Sequence, residues 1–388
     1  MTTPVTCTAR PSLALIKYWG KNPGPGVNLP ATPSLAMTLD SIETRTQVRV
    51  VQTSNGNLGD QIVIGDEVQS PEAFAGFFQN LRQVLGPLIR ANAQSFEPSV
   101  GEGPAWAFDV RSQNNFPTAA GLASSASGLA ALTGACVASL LRPEFRTPWE
   151  RALVDQEKSL QEKRTEPLTA DSEFRELGRE LPGFPGLPGL LSLSALARYG
   201  SGSASRSVFG GFTLFPQGSP VAHPLESADF WPEARIILVP LSSARKPVSS
   251  RIAMNRTRDT SPYYEAWVND APKVAVEAQE ALKKRDEEKL GTLMINSYLR
   301  MFSTMFAAQP PVVYWLPESL VVIRLAAELR SKGLPVWETM DAGPQVKLFT
   351  LSSSVPEILR AVEQALPSVV PVVSGPGNGL QWVKESTL

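Results

Sequence analysis

One histidine, His223, and two cysteines, Cys7 and Cys136, among 388 residues leave little room for metal or redox chemistry. A zinc site built from several histidines is excluded. A Ser-His-Asp triad would depend on His223 alone, and that residue sits in Gly218-Ser219-Pro220-Val221-Ala222-His223-Pro224, a turn-like run that predicts an exposed loop. Two cysteines outside any ligand spacing make neither a disulfide framework nor a metal site, so both read as buried small apolar residues. No stretch approaches the roughly 18 apolar residues of a spanning helix, and no charged segment followed by an apolar run opens the chain. The expected location is therefore the cytoplasm, with no membrane partner. Lys and Arg number 36 against 37 Asp and Glu, a net charge of -1. Bulk attraction to nucleic acid is absent, so any anion site must be local. If the chain is an enzyme, carboxylates, lysines and arginines must carry its acid–base work.

The chain is rich, by contrast, in small residues at one place. From Pro117 to Gly128 there are only Pro, Thr, Ala, Gly, Ser and one Leu, and Leu129 to Leu141 then reads as an apolar helix. A small-residue loop feeding a helix N-terminus suits a phosphate, because unpaired N–H groups and the helix dipole both favour an anion. No Gly-Lys-Ser/Thr follows, so this is not a Walker loop. Tight helix packing explains the same composition equally well.

Periodicity outlines an α+β chain without the regular alternation of a barrel or a Rossmann sheet. Strand-like segments fall at 13–16, 34–39, 46–51, 61–65, 105–111, 209–215, 234–240, 346–351 and 369–373. Helical ones fall at 71–92, 122–141, 189–198, 262–303, 317–332 and 355–366. Residues 143–187 crowd charge between Glu150 and Glu180 and close on Leu181-Pro182-Gly183-Phe184-Pro185-Gly186-Leu187. They read as a solvated, partly helical insertion. Length alone predicts two lobes or domains.

Four further constellations carry possible chemistry. Lys17 and Lys21 flank Tyr18-Trp19-Gly20; in an extended segment they share a face, where two ammonium groups repel unless an anion lies between them. Two ordinary surface lysines are the alternative. Ser201-Gly202-Ser203 with Arg206 offers hydroxyls, permissive backbone and a planar guanidinium fork suited to carboxylate or phosphate, or else a plain turn. Val248-Ser249-Ser250-Arg251, after Lys246-Pro247, repeats the theme. Asp341-Ala342-Gly343-Pro344 places one carboxylate at a tight turn before a strand, where an Asp is either a turn-former or a positioned catalytic group.

In order along the chain, Ile16–Lys21, Asn114–Gly128, Ser201–Ser207 with Gly210-Gly211, Val248–Met254 and Asp341–Pro344 resemble the diphosphomevalonate decarboxylases, ATP-dependent members of the GHMP small-molecule kinase superfamily. The resemblance implies a two-lobed α+β fold, with a ribosomal protein S5 domain 2-like N-terminal lobe over 1–215 and an α/β-plait C-terminal lobe over 216–388. It also implies a deep cleft between the lobes and a homodimer. ATP and Mg²⁺ would be the cofactors, with Pro117, Thr118, Ala120, Gly121, Ser124, Ser125 and Ser127 at the nucleotide phosphates and Ser125 at the metal. Tyr18, Lys21, Ser201, Gly202, Arg206, Ser250, Arg251 and Met254 would hold the substrate, with Arg206 on its carboxylate. Asp341, Lys17, Arg206 and Ser201 would be catalytic, Asp341 orienting or deprotonating the C3 hydroxyl while Lys17 keeps it ionised.

The implied reaction is ATP-dependent decarboxylation of mevalonate 5-diphosphate to isopentenyl diphosphate through a 3-phosphorylated intermediate. The family's Leu-Pro-x-Asn-x-Ser is here Leu29-Pro30-Ala31-Thr32-Pro33-Ser34, a family glycine is Ala253, and Phe302 occupies the place of a family histidine. These departures keep mevalonate 5-phosphate open as the substrate. A kinase that stops at the phosphoester, or a silent nucleotide-binding scaffold, is the remaining alternative.

Overall fold

The computed structural model describes residues 2–23, 28–52, 59–100, 106–116, 124–162, 181, 183–184, 186–244 and 246–383. Its strands are β1 (Val5–Ala9), β2 (Ser12–Ala14), β3 (Ser34–Thr38), β4 (Thr44–Gln52), β5 (Gln61–Ile64), β6 (Glu67–Val68) and β7 (Trp106–Asn114). They continue as β8 (Phe212–Phe215), β9 (His223–Glu226), β10 (Ala234–Val239), β11 (Val336–Met340), β12 (Val346–Leu351), β13 (Val372–Ser374) and β14 (Gln381–Val383). The helices are α1 (Glu72–Ala91), α2 (Ser124–Leu140), α3 (Pro143–Glu162), α4 (Leu190–Gly200) and α5 (Ser250–Thr260). After them come α6 (Tyr264–Lys284), α7 (Glu287–Phe306), α8 (Pro317–Ser331) and α9 (Val355–Ala365).

Among the described residues these form three sheets, in the orders β14-β1-β4-β7-β5-β6, β11-β12-β10-β13 and β2-β3-β8-β9. The first sheet packs on α2, whose Ala126, Ala130, Ala135, Cys136 and Leu140 are all buried. That helix is apolar all round because it is enclosed, not because it spans a membrane. A Cβ at Gly134 would press on Cys7 Sγ of β1 at 2.8 Å, so glycine lets the strand and helix approach. A second cluster lies between the other two sheets and under α6 and α7, holding Leu15, Leu35, Phe212, Trp231, Ile236 and Phe349. A third, with Trp19, Met254, Phe302, Val322 and Ile358, fills the other side of the β11-β12-β10-β13 sheet.

Several expectations are corrected. His223 is not an exposed loop residue: it is fully buried on β9, opposite Leu214 of β8. The turn ends earlier, at Gly218–Pro220, and β9 is an edge strand, which tolerates Pro224 beside the histidine. The helical stretch at 262–303 is two helices, broken where Arg285 adopts a left-handed conformation (φ 52°) and the Asp286 side chain accepts the Lys289 N–H to start α7.

Nor is the charged segment wholly a solvated excursion. Within α3, Trp149, Leu153 and Leu160 form a buried seam, with the Trp149 ring edge-on to Trp382 at 5.2 Å. Trp149 Nε1 donates to the Pro188 carbonyl, and half-buried Glu157 accepts the Gly210 N–H at 2.7 Å. Charges on the outer face mask this seam in the sequence. The rest of the segment, residues 163–180 with 182 and 185, lies outside the described residues.

Strand β14 pairs with β1, so the end of the chain completes the first sheet. Helix α5 and strands β9, β11 and β14 escape periodicity because each is short or covered on both sides.

Candidate active site

A cleft of about 350 Å³ opens between the α2 and α4 side of the molecule and the α5 and Asp341 side. The first turns of two helices, α2 and α5, line it, and a helix start favours an anion. At the start of α5 the Ser249 side chain accepts the Ile252 N–H, leaving Ser250, Arg251 and Met254 on the cleft wall.

Asp341 directly follows β11 and lines the cleft with 29% of its side chain exposed. Lys17 Nζ lies 2.8 Å from its Oδ1 and Lys347 Nζ 3.1 Å from its Oδ2, and each lysine is only 1% exposed. The Asp341–Gln345 turn is anchored from three sides. Ser319 Oγ of α8 donates to the Pro344 carbonyl at 2.7 Å, Lys246 Nζ to the Ala342 carbonyl at 2.8 Å, and the Gln345 side chain bonds the backbone of Leu241 and Ser242. Burial alone would raise the Asp341 pKa, but the two ammonium groups overcome it and hold the carboxyl well below the usual range. Desolvation lowers Lys17 to about 8 despite the pull of Asp341, with Lys347 and Arg206 adding repulsion.

Arg206 enters from a 3-10 segment, Gly202–Val208, and is 3% exposed. Its Nη1 donates to Ser34 Oγ at 2.6 Å, and desolvation lowers its pKa to about 10. Its Nε is buried without a partner among the described residues, as are the Tyr18 and Ser12 hydroxyls, and all three residues line the cleft. Buried polar groups are ordinarily satisfied, so three unpartnered ones around one cleft mark a place for a polar ligand. Ser201 and Ser203 place their hydroxyls 3.1 Å apart on the same wall. A Cβ on Gly202 would overlap the Tyr18 hydroxyl, so this glycine is required by the close approach.

Lys17 and Lys21 do not share an extended face. The chain bends after β2, and Gly20 takes φ 109°. Lys17 turns inward to Asp341 and the Ala14 carbonyl, its own N–H donating to Ser297 Oγ of α7. Lys21 stays on the cleft and donates to Asn28 Oδ1 at 2.6 Å, while Asn28 Nδ2 donates to the Arg198 carbonyl at 2.8 Å. Desolvation, then repulsion from Arg251, lowers Lys21 to about 8.

Of the residues expected at nucleotide phosphates, Pro117, Thr118, Ala120 and Gly121 lie outside the described residues. Ser124 opens α2, and Ser125 is exposed on its first turn and lines the cleft. Ser127 points the other way: it is buried, and its hydroxyl meets Thr44 Oγ1 at 2.7 Å. An adjoining apolar pocket of about 230 Å³ shares Ser125 and Leu129 with the cleft and is walled by Thr46, Ile62, Ile64 and Phe74.

Sequence reading also missed Lys347, Asn28, Ser12 and Met301. Lys347 sits inside an apolar strand pattern, and only its place on the strand that follows the Asp341 turn hints at a role. None of the three departures lines the cleft. Thr32 accepts the Trp19 N–H, Ala253 is packed in the third cluster, and Phe302 stacks edge-on with Trp315. The residue that α7 presents to the cleft is Met301.

Residues 9–147 and 189–224 match the diphosphomevalonate decarboxylase-like N-terminal domain, and residues 236–375 match the mevalonate 5-diphosphate decarboxylase C-terminal domain. The diphosphomevalonate decarboxylase of Gibberella zeae is 30% identical over 373 residues, 93% of this chain and 85% of that protein. A solved complex of MDDEF with MVAPP, AMPPCP and magnesium superposes with a TM-score of 0.75 at 30% identity, covering 99% of this chain and 100% of that one. The mevalonate diphosphate decarboxylase of Staphylococcus aureus superposes with a TM-score of 0.76 at 29% identity, over 99% of each chain. With its cleft, its pinned carboxylate and a likeness that runs the length of the sequence, the chain belongs to the diphosphomevalonate decarboxylase family.

Proposed function

We propose that this protein converts mevalonate 5-diphosphate and ATP into isopentenyl diphosphate, ADP, phosphate and CO₂. The observation that carries the reading is that, among the described lining residues of the cleft, Asp341 is the one carboxylate and the other charged groups, Lys21, Arg206 and Arg251, are cations. Asp341 is faced by Lys17, Lys347, Arg206 and Lys246, so the site as a whole favours anions.

Each group has a chemical task. A tertiary alcohol is a poor leaving group, and ATP makes it a phosphate ester. Asp341, kept ionised between two ammonium groups, is a weak base and a strong fixed anion. It orients the C3 hydroxyl and then stabilises the positive charge that builds at C3 as phosphate leaves. Loss of CO₂ from the neighbouring carbon supplies the electron pair that closes the alkene. Arg206, with its unpartnered Nε, holds the substrate carboxylate together with Ser201 and Gly202. Lys21, Tyr18, Ser250, Arg251 and the α5 N-terminus hold the phosphorylated tail.

Ser125, exposed at the α2 N-terminus, suits the nucleotide phosphates, and the apolar pocket beside it suits a flat base. Among the described residues no group of three His, Cys, Asp or Glu side chains is clustered. Magnesium therefore fits as an ion carried largely by phosphate oxygens and water, with the Ser125 hydroxyl as its protein ligand. It would neutralise charge on the transferring phosphate.

The diphosphate is favoured over the monophosphate because Lys21, Arg206 and Arg251 all reach the cleft, whereas Thr32, Ala253 and Phe302 do not. A lobe boundary near residue 215, a homodimer and a cytoplasmic address belong to the same proposal. Among the described residues no helix is long and apolar enough to cross a membrane. The test is incubation with ATP and Mg²⁺, comparing mevalonate 5-diphosphate with mevalonate 5-phosphate while following ADP and CO₂ together. Equal ADP and CO₂ from the diphosphate is expected. ADP without CO₂, or CO₂ from the monophosphate alone, would overturn the reading.

A further inference from the structure

Lys347 has no role so far beyond adding positive charge beside Asp341. It lies on β12, the second strand from the edge of its sheet, paired with Thr339 of β11 and Leu238 of β10. Its side chain is 1% exposed, yet its Nζ stands 3.1 Å from Asp341 Oδ2. A buried ammonium is costly to keep unless a counter-charge is fixed beside it. Its neighbours on the strand, Val346 and Leu348, are wholly apolar and buried, so packing alone would be served better by an aliphatic residue.

We propose that Lys347 is a positioning residue of the decarboxylation site: it grips Asp341 Oδ2 so that Lys17, on Oδ1, and Lys347 together fix the plane and the ionisation of the carboxylate. The two lysines come from different elements and hold different oxygens, Lys17 from the bend after β2 and Lys347 from β12. A carboxylate held at one oxygen can still rotate about its Cβ–Cγ bond, whereas one held at both oxygens cannot. Holding the plane matters because the C3 hydroxyl must be met at a defined angle, and a misplacement of about 1 Å can cost on the order of a hundredfold in rate.

Every charged group around the carboxylate bears on this inference. Lys17 and Lys347 touch it, Arg206 faces it from the 3-10 segment, and Lys246 holds the Ala342 carbonyl from the loop before α5. All four are cations. Removing the Lys347 charge therefore leaves Asp341 still favoured as an anion, but less strongly, and free to turn.

The inference rests on the proposed decarboxylase reading, and the experiment separates the two. Full-chain wild type, Lys347→Met, Lys347→Gln and Lys347→Arg are assayed with mevalonate 5-diphosphate, ATP and Mg²⁺ from acid to neutral pH, following ADP and CO₂. Wild type without turnover defeats the underlying reading. With wild type active, Lys347→Met should lose roughly tenfold to a hundredfold in kcat. Its KM for ATP should stay within about twofold. Lys347→Arg, which keeps the charge, should recover most of the wild-type kcat. Lys347→Gln, polar and similar in length, carries the same expectation as Lys347→Met if the latter does not fold. Folded neutral variants with wild-type kcat, or a loss of kcat that Lys347→Arg does not restore, would overturn the proposal. Failure of all three variants to fold would also overturn it, since that makes Lys347 a structural residue only.

Discussion

Replacing Asp341 by Asn keeps the shape of the side chain and removes only its charge, which isolates the electrostatic part of the proposed mechanism. A unit negative charge about 4 Å from a developing cation, at the effective dielectric of about 20 suited to a partly exposed site, stabilises it by about 4 kcal/mol. That corresponds to a loss of about a thousandfold in kcat. The substitution also removes the counter-charge of two lysines that are each 1% exposed. Stripping one partner from a buried pair costs ~3–5 kcal/mol of stability. The low end applies here, because Lys17 already has its pKa lowered to about 8 and sheds its proton once the carboxylate is gone. The variant should thus remain folded, bind ATP nearly as the parent does, and lose CO₂ release and ADP release together. The assay is steady-state ADP and CO₂ production, with nucleotide affinity measured separately by calorimetry. A variant retaining kcat within about tenfold of wild type would refute the idea that the Asp341 charge stabilises the transition state.

Three further outcomes follow from the geometry. Arg206→Ala should raise KM for the mevalonate substrate far more than for ATP, since the guanidinium lies among Ser34, Ser201 and Gly202; equal losses in both would mean that Arg206 is misplaced. The pH profile should fall on the alkaline side. Lys17 and Lys21, both lowered to about 8 from 10.5, are charged below that pH and neutral above it, so kcat/KM should decline as pH rises through about 8; a flat profile to pH 10 would contradict this. Gly211→Ala should destabilise the protein by at least about 2 kcal/mol, measured by urea unfolding. The residue has φ 61°, and a Cβ there would run into the Glu226 carbonyl on β9; unchanged stability would show that the loop has room to shift.

The motifs of the cleft are legible in the sequence because each is a local run. The small-residue loop ending at Gly128, the Ser201–Arg206 turn, the Ser249-Ser250-Arg251 helix start and the Asp341 turn all announce themselves by residue type. What fails is anything that depends on a neighbour distant along the chain. His223 looks like a loop residue beside Pro220 and Pro224, yet edge-strand pairing to β8 buries it. Ser127 is as small and polar as Ser125, but two residues further round the helix it faces Thr44 rather than the cleft. The charge-rich α3 hides an apolar seam that only Trp382, more than two hundred residues away, completes.

By itself the sequence determined the composition of the site: hydroxyls, glycines, a few cations and one carboxylate, with no metal-binding histidine cluster. It also determined which short elements could present them, through turn residues and helix starts. Only the tertiary structure decided that Lys17, Arg206, Asp341 and Lys347 meet, because residues spread from position 17 to position 347 are brought together by strand pairing and core packing. Whether a lysine is a solvated surface charge or half of a buried clamp is a property of its surroundings, set by desolvation and by the counter-charge within about 3 Å, and neither is written in the residues beside it.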